Sequence, residues 1–262
     1  MITSESGSNV NTSMKGFLDL PYRRPFARHY KAFDAGFYVD FPKQLKIMGD
    51  WLRESGCRRT LDIGAMTGGC IEYITRRGMR MDGTQFTPDV KRLAAARLRK
   101  AGIASTLYVS PVHGPLRVPG RARYDGAVAL GWFNLPFSDA QVRAWLAAVR
   151  RLLAPGGVFL FDFFEFRRLV VPPTEAVRLA KDVALVSHAE RRGRALRRYH
   201  LWIHGDTARV ETSDLVDRSP AEARRALARA GFEVVKTKHL DFHYPREFWL
   251  ARATSSAASA SP

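Results

Sequence analysis

Cysteine is scarce in this sequence: among 262 residues only Cys57 and Cys70 carry thiols. Two cysteines flanking one short apolar segment make no disulfide framework, and they read as free, structural thiols in a reducing compartment. No CxxC pair accompanies them, so no metal centre is expected. No stretch reaches the roughly 18 consecutive apolar residues of a membrane-spanning helix, so no membrane partner is expected. The opening residues, MITSESGSNVNTSMKG, hold no apolar leader, which makes cytoplasmic residence the expectation. Acidic residues are also few: 25 Asp and Glu face 42 Lys and Arg, a formal net charge of +17. Such a balance admits nucleic acid, anionic lipid or an acidic substrate as partner. The basic residues are scattered, however, and the densest run, RRGRALRR at 191–198, alternates with small and apolar residues. An Arg- and Ala-rich composition also follows from a GC-rich genome, so charge alone does not point to nucleic acid.

What the chain does hold is apolar content of 46%, enough for one core. Residues 1–16 and 254–262 read as disordered tails around a domain over 17–253. Apolar residues recur at helical spacing between Phe41 and Gly56. RRTLDIGA (58–65) is a short strand, Gly69–Arg77 begins a helix, and MRMDGTQF (79–86) is a second strand. Thr87 caps a helix with Pro88 at its first position, and that helix stops at Gly102. STLYVS (105–110) and YDGAVALG (124–131) read as further strands. Ser138–Leu153 reads as a helix closed by a Pro-Gly-Gly turn at 155–157, and VFLFDFF (158–164) as a fifth strand. This alternation implies a parallel sheet. The rhythm then breaks. VALVSHAERR, ALRRYHLWIH and ARVETSDLVD alternate like antiparallel strands, and 166–217 reads as an inserted cap. Ser219 opens a helix with a capping box, and 232–240 with 247–253 form an antiparallel closing pair.

Five segments occur in the order of one known family. TLDIGAMTGG (60–69), GTQFTPDVKRLAAAR (83–97), YDGAVALGWFNLP (124–136), RRLLAPGGVFLFDFF (150–164) and ARAGFEVV (228–235) resemble successive motifs of class I S-adenosylmethionine-dependent methyltransferases. The resemblance covers about residues 26–253. It implies an α/β fold with a Rossmann-like, doubly wound, mostly parallel seven-stranded sheet and an antiparallel cap after the fifth strand. It implies S-adenosyl-L-methionine as cofactor and methyl transfer to a nitrogen or oxygen of a small-molecule acceptor, a specialised metabolite or amino compound. The cap and the aromatic segment PFARHYKAFDAGFY (25–38) look like those of glycine/sarcosine and amino-sugar N-methyltransferases. Alternatives are a methyltransferase-like protein that transfers no methyl group and a nucleic-acid or protein methyltransferase. The latter is suggested by Asn134-Leu-Pro-Phe137, which otherwise reads as an ordinary exit loop.

The resemblance assigns cofactor contacts to Asp62, Gly64, Ala65, Met66, Gly68, Gln85, Phe86, Leu130 and Gly131. Tyr30, Trp132 and His200 are the candidates at the reaction centre: two aromatic walls and a base of near-neutral pKa. Tyr22, Phe26, Phe33, Phe37 and Tyr38 could add further aromatic walls. His200 and His204 share a strand face with Trp202, which either lines the pocket or packs in a homodimer through the cap. The chain departs from the family pattern in places. Met66 stands where a glycine is usual. Gln85 replaces the acid that accepts from both ribose hydroxyls, while Asp82, three residues back, would face the other way. The acid after the third strand is missing, with Ser110 or His113 as stand-ins. On this reading Gln85→Glu would strengthen cofactor binding or leave it unchanged.

Overall fold

The computed structural model describes residues 41–110, 115–119, 123–135, 137–164, 174–241 and 246–254. Tyr30 and the rest of the 25–38 segment, His113, residues 166–173 of the cap, the 1–16 tail and 255–262 lie outside them. Helix α1 (Phe41–Glu54) leads into β1 (Arg59–Ile63), α2 (Gly69–Thr75), β2 (Arg80–Gln85), α3 (Pro88–Lys100), β3 (Leu107–Val109) and β4 (Tyr124–Ala129). Helix α4 (Asp139–Leu152) and β5 (Leu153–Phe164) complete the first half. Four strands follow: β6 (Glu175–Ala180), β7 (Val183–Arg192), β8 (Ala195–His204) and β9 (Thr207–Val216). The chain closes through α5 (Pro220–Arg229), β10 (Phe232–Leu240) and β11 (Arg246–Ala253).

Helix starts follow local chemistry. The Thr87 hydroxyl accepts from the Val90 amide ahead of Pro88. Ser138 with Gln141 and Ser219 with Glu222 form capping boxes at α4 and α5. The main sheet has seven strands in the order β10-β11-β5-β4-β1-β2-β3, with only β11 running against its neighbours. Period-two alternation splits its central strands between two apolar layers. Phe159, Phe161 and Phe163 pack against Trp145 and Leu146 of α4 and Leu227 of α5. Val158 and Leu160 join Met48 and Leu52 of α1, Ile71 and Ile74 of α2 and Leu98 of α3 on the other face. Helices therefore cover both sides, as a parallel sheet requires. Cys57 and Cys70 are both free and buried, and burial pushes the Cys57 thiol up to about 12.

Two sequence expectations change. The Pro155-Gly156-Gly157 segment does not close a helix ahead of the strand. It lies within β5, where Leu153 pairs with Tyr124 and Val158 already pairs with Gly126, so the residues between them bulge out of the ladder. Gly156 there takes φ +73. The cap meander has four strands rather than three, in the order β6-β7-β8-β9. The signal of residues 175–180 is weak in sequence, since this six-residue strand follows closely on Pro172-Pro173.

Gly83 shows how tightly the helices sit on the sheet. A Cβ there would lie 2.7 Å from Ile71 Cδ1 and 3.0 Å from the Cβ of Ala65. Gly83→Val should lose about 1–3 kcal/mol of stability in urea unfolding, because Ile71, Ala65 and Leu107 must all give way to the added atoms. An unchanged midpoint would show that this contact is loose.

Candidate functional site

The strand order reverses between β1 and β4, and in open α/β sheets ligands bind at that point, outside the carboxyl ends of the strands. One wall of the crevice is the turn from β1 into α2. Three residues within five adopt left-handed backbone: Gly64 (φ 84), Met66 (φ 49) and Gly68 (φ 79). Met66 is the one non-glycine residue with positive φ among the described residues. Side chains rarely take this conformation because Cβ crowds the carbonyl oxygen.

Strand β2 holds that turn. The Gly64 amide donates to Thr84 Oγ1 at 3.1 Å and the Ala65 amide to the Thr84 carbonyl at 2.9 Å. Gln85 Nε2 donates to the Met66 carbonyl at 2.9 Å. The Gln85 side chain is fully buried and its Oε1 has no hydrogen-bond partner among the described residues. A buried orphan acceptor is costly unless a ligand donor meets it. The Phe86 ring lies against Gly64, where a Cβ would come within 2.8 Å of its edge. Gly68 points instead toward Leu98 of α3, so its freedom of φ serves the turn.

Beneath the turn, Asp62 is buried on β1. Burial raises its carboxyl to about 7, opposed by a hydrogen bond with the Cys70 thiol. Asp82 faces the other way, as alternation requires, and its carboxylate pairs with Arg59 at 3.1 Å and accepts from Tyr124 at 3.2 Å. Ser110 takes no exposed position after β3: it is buried, and its hydroxyl accepts from the Arg117 amide.

The opposite wall is the exit of β4. Asp62 pairs with Val128, so Leu130 and Gly131 come level with the end of β1. Gly131 takes φ +66, and its amide donates to Asp162 Oδ1 at 2.5 Å. Trp132 does not stand at the crevice as a free aromatic wall. It is buried and stacked on Trp145 at 3.3 Å between ring centroids, as part of the core around α4. Asn134 is buried and bonded through both ends of its amide. Its Nδ2 donates to the Phe164 and Val216 carbonyls, both at 3.1 Å, and its Oδ1 accepts from the Phe164 amide at 2.7 Å. That buried side chain ties the exit loop to β5 and β9 with both Nδ2 hydrogens committed.

The cap residues also depart from expectation. His200 sits on β8 with Nδ1 2.9 Å from the Ser187 hydroxyl. Burial, with Arg198 nearby, lowers its imidazole to about 3, so it is neutral at pH 7 and a poor base. The near-neutral base expected from sequence is corrected accordingly. Trp202 is buried within this one chain, so its burial requires no second copy. Arg197 makes a bidentate pair with Asp214 at 2.8 Å, Arg194 binds Glu222, and Arg192 pairs with Glu190. Three of the cap arginines are thus paired with acids, those at 192 and 194 on the surface. Among the described residues no group of three His, Cys, Asp or Glu could hold a metal ion, and no helix is long and apolar enough to cross a membrane.

Sequence reading brought together Gly64, Ala65, Met66, Gln85 and Phe86, and it missed Thr84 and Asp162. Thr84 carried no signal beyond a hydroxyl at a strand end. Asp162 did carry one, since an acid inside the apolar run VFLFDFF is expensive unless it has a use.

Against known proteins, residues 60–157 match the family model described as a methyltransferase domain. No curated protein sequence matches the chain. A S-adenosylmethionine-dependent methyltransferase from Clostridium acetobutylicum superposes with TM-score 0.75 at 13% identity, covering 88% of this chain and 100% of its own. An amino pentose methyltransferase from Micromonospora echinaspora, involved in calicheamicin biosynthesis and solved with S-adenosylmethionine, gives TM-score 0.70 at 24% identity over 86% and 96%. A sugar N-methyltransferase from Streptoalloteichus gives 0.66 at 18% over 97% and 96%. Residues 60–157 are thus similar to a methyltransferase domain, and the chain shares its fold with S-adenosylmethionine-dependent methyltransferases.

Two outcomes follow from these contacts. A carboxylate at position 85 cannot donate to the Met66 carbonyl and would set two oxygens against each other. The structure therefore reverses the sequence expectation: Gln85→Glu should lose about 1–3 kcal/mol at pH 7 in chemical unfolding and bind cofactor more weakly. Unaltered stability and affinity would show that the bond is dispensable. For His200, the unfolded imidazole binds a proton near 6.5 and the folded one only near 3, so stability should fall as pH drops from about 6.5 toward 3. His200→Gln should flatten the dependence of the unfolding midpoint over that window.

Proposed function

We propose that this protein transfers the methyl group of S-adenosylmethionine to a nitrogen or oxygen of a small molecule, a specialised metabolite or amino compound. The observation that carries this reading is the buried, unpartnered Gln85 Oε1 at the crevice edge. The orphan acceptor suits a ribose hydroxyl, and the same amide braces the turn that would lie against the nucleoside. Asp62 would face the cofactor amino group, Phe86 would offer an apolar face to the base, and Leu130 with Gly131 would close the far side. Gly64, Ala65, Met66 and Gly68 would supply the backbone surface. When bound, the sulfonium supplies an already electrophilic methyl group, so the chain itself needs no nucleophile or metal. Its residues have to align the acceptor and exclude water.

At the reaction centre Tyr30 remains the proposed aromatic contact. Trp132 would act by anchoring the exit loop through its stack on Trp145. His200 would act as a neutral hydrogen-bonding group of the cap, because its lowered pKa suits no proton abstraction. The amino-sugar and sugar N-methyltransferases among the structural neighbours support an amine-bearing acceptor. The buried Asn134 side chain, with both Nδ2 hydrogens committed to the Phe164 and Val216 carbonyls, argues against nucleic acid.

Calorimetric titration with S-adenosylmethionine should show micromolar binding. A cationic amine beside Asp62 would lower a carboxyl now held near 7, so binding at pH 6 should release a proton, detectable as a buffer-dependent heat, and release none above pH 8. No heat and no thermal shift at millimolar cofactor would favour the alternative of a fold that has given up methyl transfer. Steeply salt-dependent retention on heparin and on tRNA would favour nucleic acid.

A further inference from the structure

Strand β5 sends Val158, Leu160 and Asp162 to one face of the sheet, and the first two lie in the apolar layer beneath α1 and α2. Asp162 continues that series with a carboxylate of 0% exposure. On the neighbouring strand Phe248 pairs with Asp162, which places Arg246 on the same face two residues away. Arg246 is itself 3% exposed. Its Nη1 donates to Asp162 Oδ2 at 2.8 Å, and its guanidinium lies over the Phe164 ring, 4.3 Å from the centroid. The other oxygen, Oδ1, accepts from the Gly131 amide at 2.5 Å.

Burial pushes the Asp162 carboxyl up, while Arg246 and the Gly131 amide pull it back toward the charged form. Two charges in an apolar layer seldom add stability over a well-packed apolar pair, so their presence calls for a positional reason. Gly131 provides one. It is the second residue beyond β4, has left-handed backbone, and lies level with the Gly64 turn across the crevice. Asn134 already fixes the far end of the same loop to β5 and β9. Asp162 fixes the near end, where the crevice is.

We propose that Asp162 and Arg246 are positioning residues: Asp162 clamps the Gly131 amide to set the second wall of the cofactor crevice, and Arg246 holds that carboxylate in place. Where the claim concerns cofactor affinity it rests on the reading given under Proposed function; where it concerns loop position it does not.

The test uses the full chain and two variants. The double variant Asp162→Leu with Arg246→Met replaces the pair by apolar side chains, so that it folds, and removes the acceptor for Gly131. It should show a shifted indole 15N–1H resonance of Trp132, the next residue in the loop, and about tenfold weaker binding of S-adenosylhomocysteine. Asp162→Asn retains an oxygen for the Gly131 amide and should keep the resonance in place, with affinity within about threefold. An unmoved Trp132 resonance with unchanged affinity in the folded double variant would overturn the proposal. So would an Asp162→Asn protein that shifts as far as the double variant, since the effect would then not run through Gly131. If the unaltered protein binds no cofactor, the methyl-transfer reading fails, and the Trp132 resonance still decides the clamp.

Discussion

The hydrogen bond from Gln85 Nε2 to the Met66 carbonyl is the contact on which the site depends. It stabilises a bulky residue in left-handed backbone, a conformation that costs about 1–2 kcal/mol without such support. It also fixes which way the amide faces, leaving Oε1 buried and unpaired at the crevice edge. Two departures from the family pattern that look like separate defects in sequence, methionine for glycine and glutamine for an acid, are therefore one arrangement. A glycine at 66 would not need the amide, and an acid at 85 could not hold the methionine. Each residue makes the other workable.

The remainder of the crevice is built around that contact. Thr84 pins the start of the turn through two bonds to Gly64 and Ala65, so β2 grips it with consecutive residues, one by side chain and backbone and the next by its amide. Across the gap, the β4 exit is held at Gly131 by Asp162 and at Asn134 by the ends of β5 and β9. The result is two walls fixed by buried polar bonds on a sheet whose interior is apolar on both faces. Preorganisation of this kind suits a reaction in which the protein mainly has to orient two partners.

Much of this fold was legible because its signals are local. Thr87 before Pro88, Ser138 before Gln141 and Ser219 before Glu222 announce helix starts by side-chain chemistry alone, and the period-two runs of 183–217 announce a meander. The less legible parts depend on contacts between distant residues. Nothing near Trp132 in sequence reveals that Trp145 will stack on it, so an aromatic residue in an exit loop read as a wall of the pocket. Nothing near His200 reveals how deeply the cap buries it, and burial is what removes its basicity. The Gln85 to Met66 bond spans 19 positions and joins two features that sequence reading weighs one at a time.

A crystal structure of the protein with S-adenosylhomocysteine would test this account most directly. Gln85 Oε1 should accept from a ribose hydroxyl while Nε2 still donates to the Met66 carbonyl. A nucleoside bound with the amide rotated off Met66, or seated away from the β1 turn altogether, would contradict it.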